Sequence, residues 1–225
     1  MNNEVSIEKA PAENNYTWPA PVRVFGHIGS FIFHPLFIPS YISAFLIYLD
    51  PYAFAGVNDR LKMFRLFSVI FNTTFLPLFS VALMKQLGFI KSIFLPTQQD
   101  RIIPYIVCMI FYFFAWYVSR GLHESPVHTA MLLAVFLCSI AGMMANIYYK
   151  ISMHGIAAGA LFILFMWMAF NGTLASGPYL PVVILITGLV CTARFIVSDH
   201  NGFEIYSGLL AGGLCQLIAI AIEVH

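Results

Sequence analysis

Apolar and polar positions alternate on a coarse scale along this chain. Seven apolar stretches, at about residues 30–49, 64–86, 102–118, 128–149, 156–172, 179–197 and 205–223, are separated by short polar breaks. A helix needs about 20 apolar residues to cross the hydrocarbon core of a bilayer. Irregular backbone exposed to lipid would leave its polar groups unpaired. The pattern therefore predicts an all-α fold, a polytopic transmembrane helix bundle of six to seven spans. The first stretch is the least regular, because Pro35 and Pro39 remove helix donors and predict a kink. The breaks carry turn or charged residues: Asp50-Pro51, Arg120-Gly121 with Glu124 and Pro126, and Ser176-Gly177-Pro178. None is long enough for a soluble domain. The chain thus divides into a polar N-terminal tail and interfacial segment, 1–27, and a single transmembrane domain, 28–225.

The tail carries Glu4, Glu8, Lys9 and Glu13 and has no early apolar run, so a cleavable signal peptide is not expected. Tyr16 and Trp18, followed by two prolines, suit a chain arriving at a headgroup layer.

Composition agrees with the pattern. Apolar residues make up 60% of the 225 and charged residues 9%, and mean hydropathy is +0.83. Soluble domains carry about 25% charged residues, so water is not the main solvent. The 22 Phe and 11 Tyr suit lipid-facing and interfacial positions. A net charge of +1 gives no electrostatic case for nucleic acid. Cys108, Cys138, Cys191 and Cys215 all fall inside apolar runs and read as small buried hydrophobes.

Hairpins set the sidedness. If 102–118 with 128–149 and 156–172 with 179–197 each form one, three polar clusters share a face. They are Gln98 to Arg101, Lys150 to Gly155, and Arg194 to Glu204. That face also collects Lys9, Arg23, Lys85 and Lys91, against Arg60, Lys62, Arg65 and Arg120 on the other. Seven cations against four would put the clustered face inside by the positive-inside rule. Without Arg101, Lys150 and Arg194, which a site could hold, the tally is even and the orientation stays open.

Ionisable groups at a bilayer are costly and are functional candidates by default. In Arg194-x5-His200-x3-Glu204 the histidine and carboxylate are four apart and share a helix face. The carboxylate can accept one imidazole N–H and leave the other nitrogen basic. Arg194 offers a planar fork of donors suited to phosphate oxygens. Lys150, Ser152 and His154 form the second set, with Gly155 opening a helix whose first N–H groups can meet an anion. His154 could protonate a leaving alkoxide. The blander readings are a snorkelling Arg194, a His154 bonded to a neighbouring carbonyl, or a metal held by His154, Asp199, His200 and Glu204, which Lys150 and Arg194 would repel. His123 and His128 read as interfacial, and His27 and His34 receive no role. Asn72, Thr73 and Thr74 are expected to bond a neighbouring helix, and Gly208, Ala211, Gly212 and Gly213 to pack closely on one.

At these residues the chain resembles the type 2 phosphatidic acid phosphatase (PAP2) superfamily of membrane lipid phosphatases. That family's third motif is Ser-Arg-x5-His-x3-Asp, against Ala193-Arg194-x5-His200-x3-Glu204 here. Its second motif, Pro-Ser-Gly-His, compares with Ile151-Ser152-Met153-His154. The separation of 46 positions between the histidines fits a two-span hairpin. The first motif, Lys-x6-Arg-Pro, has Arg101 with the more distant Pro104 as its nearest match. The resemblance covers roughly 98–215 and implies a PAP2-like core acting on lipid phosphates. It implies His200 as the nucleophile forming a phosphohistidine, Glu204 as its orienting carboxylate and His154 as the general acid. Arg194, Arg101 and Ser152 would hold phosphate, with Lys150 adding charge. No metal or other cofactor is implied. The substrate would be a lipid phosphate monoester or diphosphate in the bilayer of a bacterial inner membrane, with the site extracytoplasmic. Met153 stands where the family has glycine, Ala193 lacks a hydroxyl, and Glu204 is one methylene longer. Two apparent spans also lie between Arg101 and Lys150, where well-known members carry a more polar segment. A non-catalytic member that binds or moves a lipid phosphate is the alternative.

Overall fold

A computed structural model describes residues 18–90, 92, 98–172, 179–197 and 200–224. In chain order the helices are α1 (Ala20–Ile32), α2 (Ile38–Tyr48), α3 (Asp59–Ile70), α4 (Leu76–Gln86), α5 (Gln98–Gly121), α6 (Pro126–Tyr148), α7 (Met153–Phe170), α8 (Tyr179–Val197) and α9 (Gly202–Glu223). Among the described residues, six continuous helical segments are long and apolar enough to cross a membrane. They include Asp59–Gln86, in which α3 and α4 join through a π-helical turn at Phe71–Phe75. The protein is an all-α polytopic integral membrane protein.

The expected first span differs from a kinked helix. It breaks completely at residues 33–37, between α1 and α2. Pro35 cannot continue α1, whereas Pro39 sits in the first turn of α2, where its missing N–H costs nothing. The 11 residues of α2 rise only about 16 Å. Even so, this stretch links opposite ends of the bundle: His34 lies beside His154 at the start of α7, and Ser43 beside His128 at the start of α6.

The second span begins at Asp59 rather than 64, because Asn58 caps it by accepting from the Arg60 N–H at 2.8 Å. Its π turn precedes Pro77, which has no N–H to return to the preceding turn. Asn72 and Thr73 donate to Ser68 and Val69 of their own helix, at 2.8 and 2.9 Å, and not to a neighbouring one. Thr74 alone reaches across, donating to the Leu36 carbonyl at 2.8 Å.

Two contacts position the site. The core of Leu46, Met131, Leu132, Leu164 and Met168 welds α2, α6 and α7. Helices α7 and α9 touch backbone to backbone: a Cβ on Gly159 would collide with the Leu209 carbonyl, and one on Gly212 with that of Ile156. This is the close packing expected of the small-residue run in α9.

Candidate functional site

Both histidines of the two motifs sit where helices begin. Asn201 caps α9, its side chain accepting from the Glu204 N–H at 2.9 Å, while a Glu204 carboxylate oxygen accepts from the Asn201 N–H at 3.3 Å. This reciprocal box uses a glutamate at the third helical position. The same oxygen, Oε2, lies 2.7 Å from Nδ1 of His200. The longer side chain thus serves two donors. Nδ1–H of His200 donates to it, so Nε2 carries the lone pair of the neutral ring.

Ser152 caps α7, its hydroxyl accepting from the Gly155 N–H at 3.2 Å, and its own N–H donates to the Glu204 carbonyl at 3.1 Å. Two residues on, Nε2–H of His154 donates to the Ser30 carbonyl at 3.0 Å. That carbonyl lies in the last turn of α1, where helical partners run out. The His34 ring stands edge-on to His154, with centroids 5.3 Å apart. Its Nδ1 accepts from the Leu36 N–H at 3.3 Å, so Nε2 bears the proton of the neutral ring.

Arg101, from the first turn of α5, and Arg194, from the last turn of α8, join these groups. His34, Arg101, His154, Arg194 and His200 all line one cavity of about 390 Å³. That is within the usual size of a small-molecule site. Arg194 also has a helix C-terminus beside it, which favours a cation. Lys150 and Ser152 are not in the wall. Ser152 is fully buried and occupied as a cap. Lys150 acts at a distance, since its charge and that of Arg194 add to burial in lowering the pKa of His200. Burial is the largest cause, and the hydrogen bond that His200 donates to Glu204 opposes it. The imidazole is thus neutral at pH 7, with a lone pair to use.

His34, Tyr105 and Tyr112, none of them singled out in the sequence, line the same cavity. A signal for His34 existed: it is a polar residue at a proline break inside an apolar stretch, and irregular backbone in a membrane is tolerated where it lines a cavity. The Tyr105 hydroxyl donates to the Met153 sulfur at 2.8 Å, which fixes that side chain in the cavity wall. Lys91 and Asp199 lie outside the described residues. Among the described residues, no three His, Cys, Asp or Glu side chains converge as a metal ion would require.

A second polar cluster lies at the opposite end. His128, expected at the interface, is fully buried. Its Nδ1 is 2.7 Å from Glu124 Oε2 and its Nε2 3.0 Å from the Ser43 hydroxyl. Glu124 also accepts from the Ser119 hydroxyl at 2.6 Å and pairs with Arg65 at 3.3 Å. The Ser–His–carboxylate order is that of a hydrolytic relay, but Ser43 is fully buried and no substrate can reach it. The cluster ties α2, α3, α5 and α6 together. His128 went unread because an end-of-span histidine looks alike whether it meets headgroups or a buried glutamate.

Compared with known protein families, curated proteins and solved structures, the chain matches none.

Proposed function

We propose that the protein is a lipid phosphate phosphohydrolase of the type 2 phosphatidic acid phosphatase kind, working through a phosphohistidine on His200. One observation carries this reading. His200 is held by Glu204 at 2.7 Å through the nitrogen that is not needed for attack, and its ring faces the cavity of Arg101, His154 and Arg194. Anion binding alone needs cations, not an imidazole with an orienting carboxylate.

In this reading the guanidinium groups of Arg101 and Arg194 take the phosphate oxygens. Nε2 of His200 forms a bond to phosphorus as the bond to the lipid oxygen breaks. The substrate arrives as the monoanion and passes its acidic hydrogen to Nδ1 of His154, which hands it to the leaving alkoxide, while Nε2–H stays on Ser30. Water then attacks phosphorus, restoring His200 and releasing inorganic phosphate. Glu204 steadies the positive charge on His200 in both steps. Burial, helped by the charges of Arg194 and Lys150, disfavours protonation of His200 beforehand.

The competing reading is a binding protein that holds a lipid phosphate without cleaving it. Two observations favour it: His154 already spends its Nε2 proton on Ser30, and Met153 fills space beside it. The test is phosphate release by the protein in lipid nanodiscs, from phosphatidate, phosphatidylglycerol phosphate and a polyprenyl diphosphate, with and without EDTA. Release that resists EDTA and is abolished by His200→Ala supports hydrolysis. Release that survives His200→Ala overturns the mechanism, and saturable lipid phosphate binding without release supports the competing reading.

A further inference from the structure

Below the polar cavity, on its bilayer side, lies a second space with almost wholly apolar walls. The two spaces share Pro35, Tyr112, Ser139 and Met153. The lower one runs between α2, with Ile38 and Ile42, and α7, with Ala157, Ala160 and Leu161. It in turn shares Ile38, Ile42 and Leu161 with a groove that ends near Phe165 and Tyr179. From Met153 to Phe165 the series follows α7 for about 18 Å at 1.5 Å per residue. The groove is bounded by Tyr41 and Val182, which are 47% and 50% exposed, so it opens on the lipid-facing side between α2 and α8.

The sequence explains the gap. Gly155, Ala158 and Gly159 on the opposite side of α7 are spent on contact with α9 and its neighbours. On the side facing α2, Ala157 and Ala160 are too short to fill the space up to Ile38 and Ile42. Broken α2 cannot close in, because Thr74 fixes Leu36 and Ser43 is tied to His128. At the top, Met153 is the joint: it lines both spaces, and its sulfur is held by Tyr105.

We infer that this path holds one apolar chain of the ligand, running from the cationic cavity past Met153 and between α2 and α7, and that Ala157 and Ala160 set the chain length accepted. The occupant is an amphiphile whose anionic head meets Arg101 and Arg194 and whose tail enters sideways from the bilayer between α2 and α8. Head and tail requirements are separate: cations at one end, a mostly apolar lining at the other. The inference rests on the proposed lipid phosphate reading for its head group.

The experiment uses the full chain in nanodiscs and a series of hexyl, dodecyl and hexadecyl phosphates. Ala160→Phe and Ala157→Phe place a ring in the path, and each methylene kept out loses roughly fourfold in binding. The ratio of kcat/KM for hexadecyl to hexyl phosphate should fall at least roughly tenfold in each. Ile42→Ala widens the path and should move the ratio the other way, which guards against a misfolded phenylalanine variant. An unchanged ratio in all three overturns the inference. A parallel arm measures binding of dodecyl phosphonate, which cannot be hydrolysed at the head. If the wild type cleaves nothing but binds the phosphonate, and the phenylalanine variants lose that binding, hydrolysis fails and the chain path stands. Equal phosphonate binding by wild type and variants ends the inference whatever the catalytic result.

Discussion

The backbone N–H of Ser152 donates to the carbonyl oxygen of Glu204 at 3.1 Å. This bond joins the first residue before α7 to the first turn of α9, and so joins the segments that carry His154 and His200. Its geometry depends on how closely the two helices approach. Gly159→Val and Gly212→Leu would put side chains onto the Leu209 and Ile156 carbonyls. Each should cost about 1–3 kcal/mol by overpacking. Thermal unfolding in detergent measures that loss, and phosphate release should fall with it.

Glu204→Gln separates charge from shape. The amide oxygen can still accept from His200 and Asn201, so the helix cap survives, but the imidazolium loses its counter-charge. Phosphate release should drop roughly a hundredfold or more, with little change in melting temperature. A variant as active as the wild type would remove Glu204 from the mechanism.

The pH profile follows from the lowered pKa of His200. Burial, Arg194 and Lys150 disfavour its protonated form. Activity should therefore be full at neutral pH and fall with acid, with a midpoint below the ordinary value of 6.5. Lys150→Gln removes one of the charges and should move that midpoint up towards 6.5. A shift in the other direction would contradict the assignment.

At the far end, burial alone would raise the pKa of Glu124, but bonds from His128 and Ser119 and the charge of Arg65 hold it below the usual glutamate range. A carboxylate with a depressed folded pKa stabilises the protein above its unfolded value. That contribution is lost as pH falls through the folded one. The melting temperature should thus hold through the neutral range and decline only below about 4.5. Glu124→Ala leaves His128 and Arg65 without their carboxylate and should cost about 3 kcal/mol at neutral pH.

His34→Ala tests a residue that no motif marks. It removes one imidazole donor from the cavity wall, worth about tenfold in phosphate release. Since His34 is not an attacking group, the phosphoenzyme on His200 should still form.

Much of this architecture could be read from the chain itself. The long apolar stretches from Pro126 onwards match α6 to α9 within a few residues, because bilayer thickness fixes their length and little else competes. The i, i+4 spacing of His200 and Glu204 foretold their 2.7 Å bond, since a helix start dictates that distance. Hairpin counting foretold that Arg101, His154 and Arg194 would share an end, and they share a cavity. What escaped were effects of tertiary packing. Pro35 announced a kink, but the contacts of His34 with His154 and of Leu36 with Thr74 hold the break open and turn His34 inward. Ser152 looked like a phosphate ligand, yet the orphan N–H of Gly155 claims its hydroxyl. Asn72 and Thr73 looked suited to bond a neighbouring helix, yet each reaches the carbonyl four residues back in its own helix.

The bond from His154 to Ser30 has a consequence for proton inventory. A neutral imidazole owns one proton, and here His154 has placed it on the Ser30 carbonyl while His200 has placed its own on Glu204. At rest, then, neither ring has a spare proton to give, and each keeps one nitrogen as an acceptor. The complement of that state is a phosphate ester that arrives as the monoanion and carries its own acidic hydrogen. The guest would supply the proton that its departing alcohol later takes away.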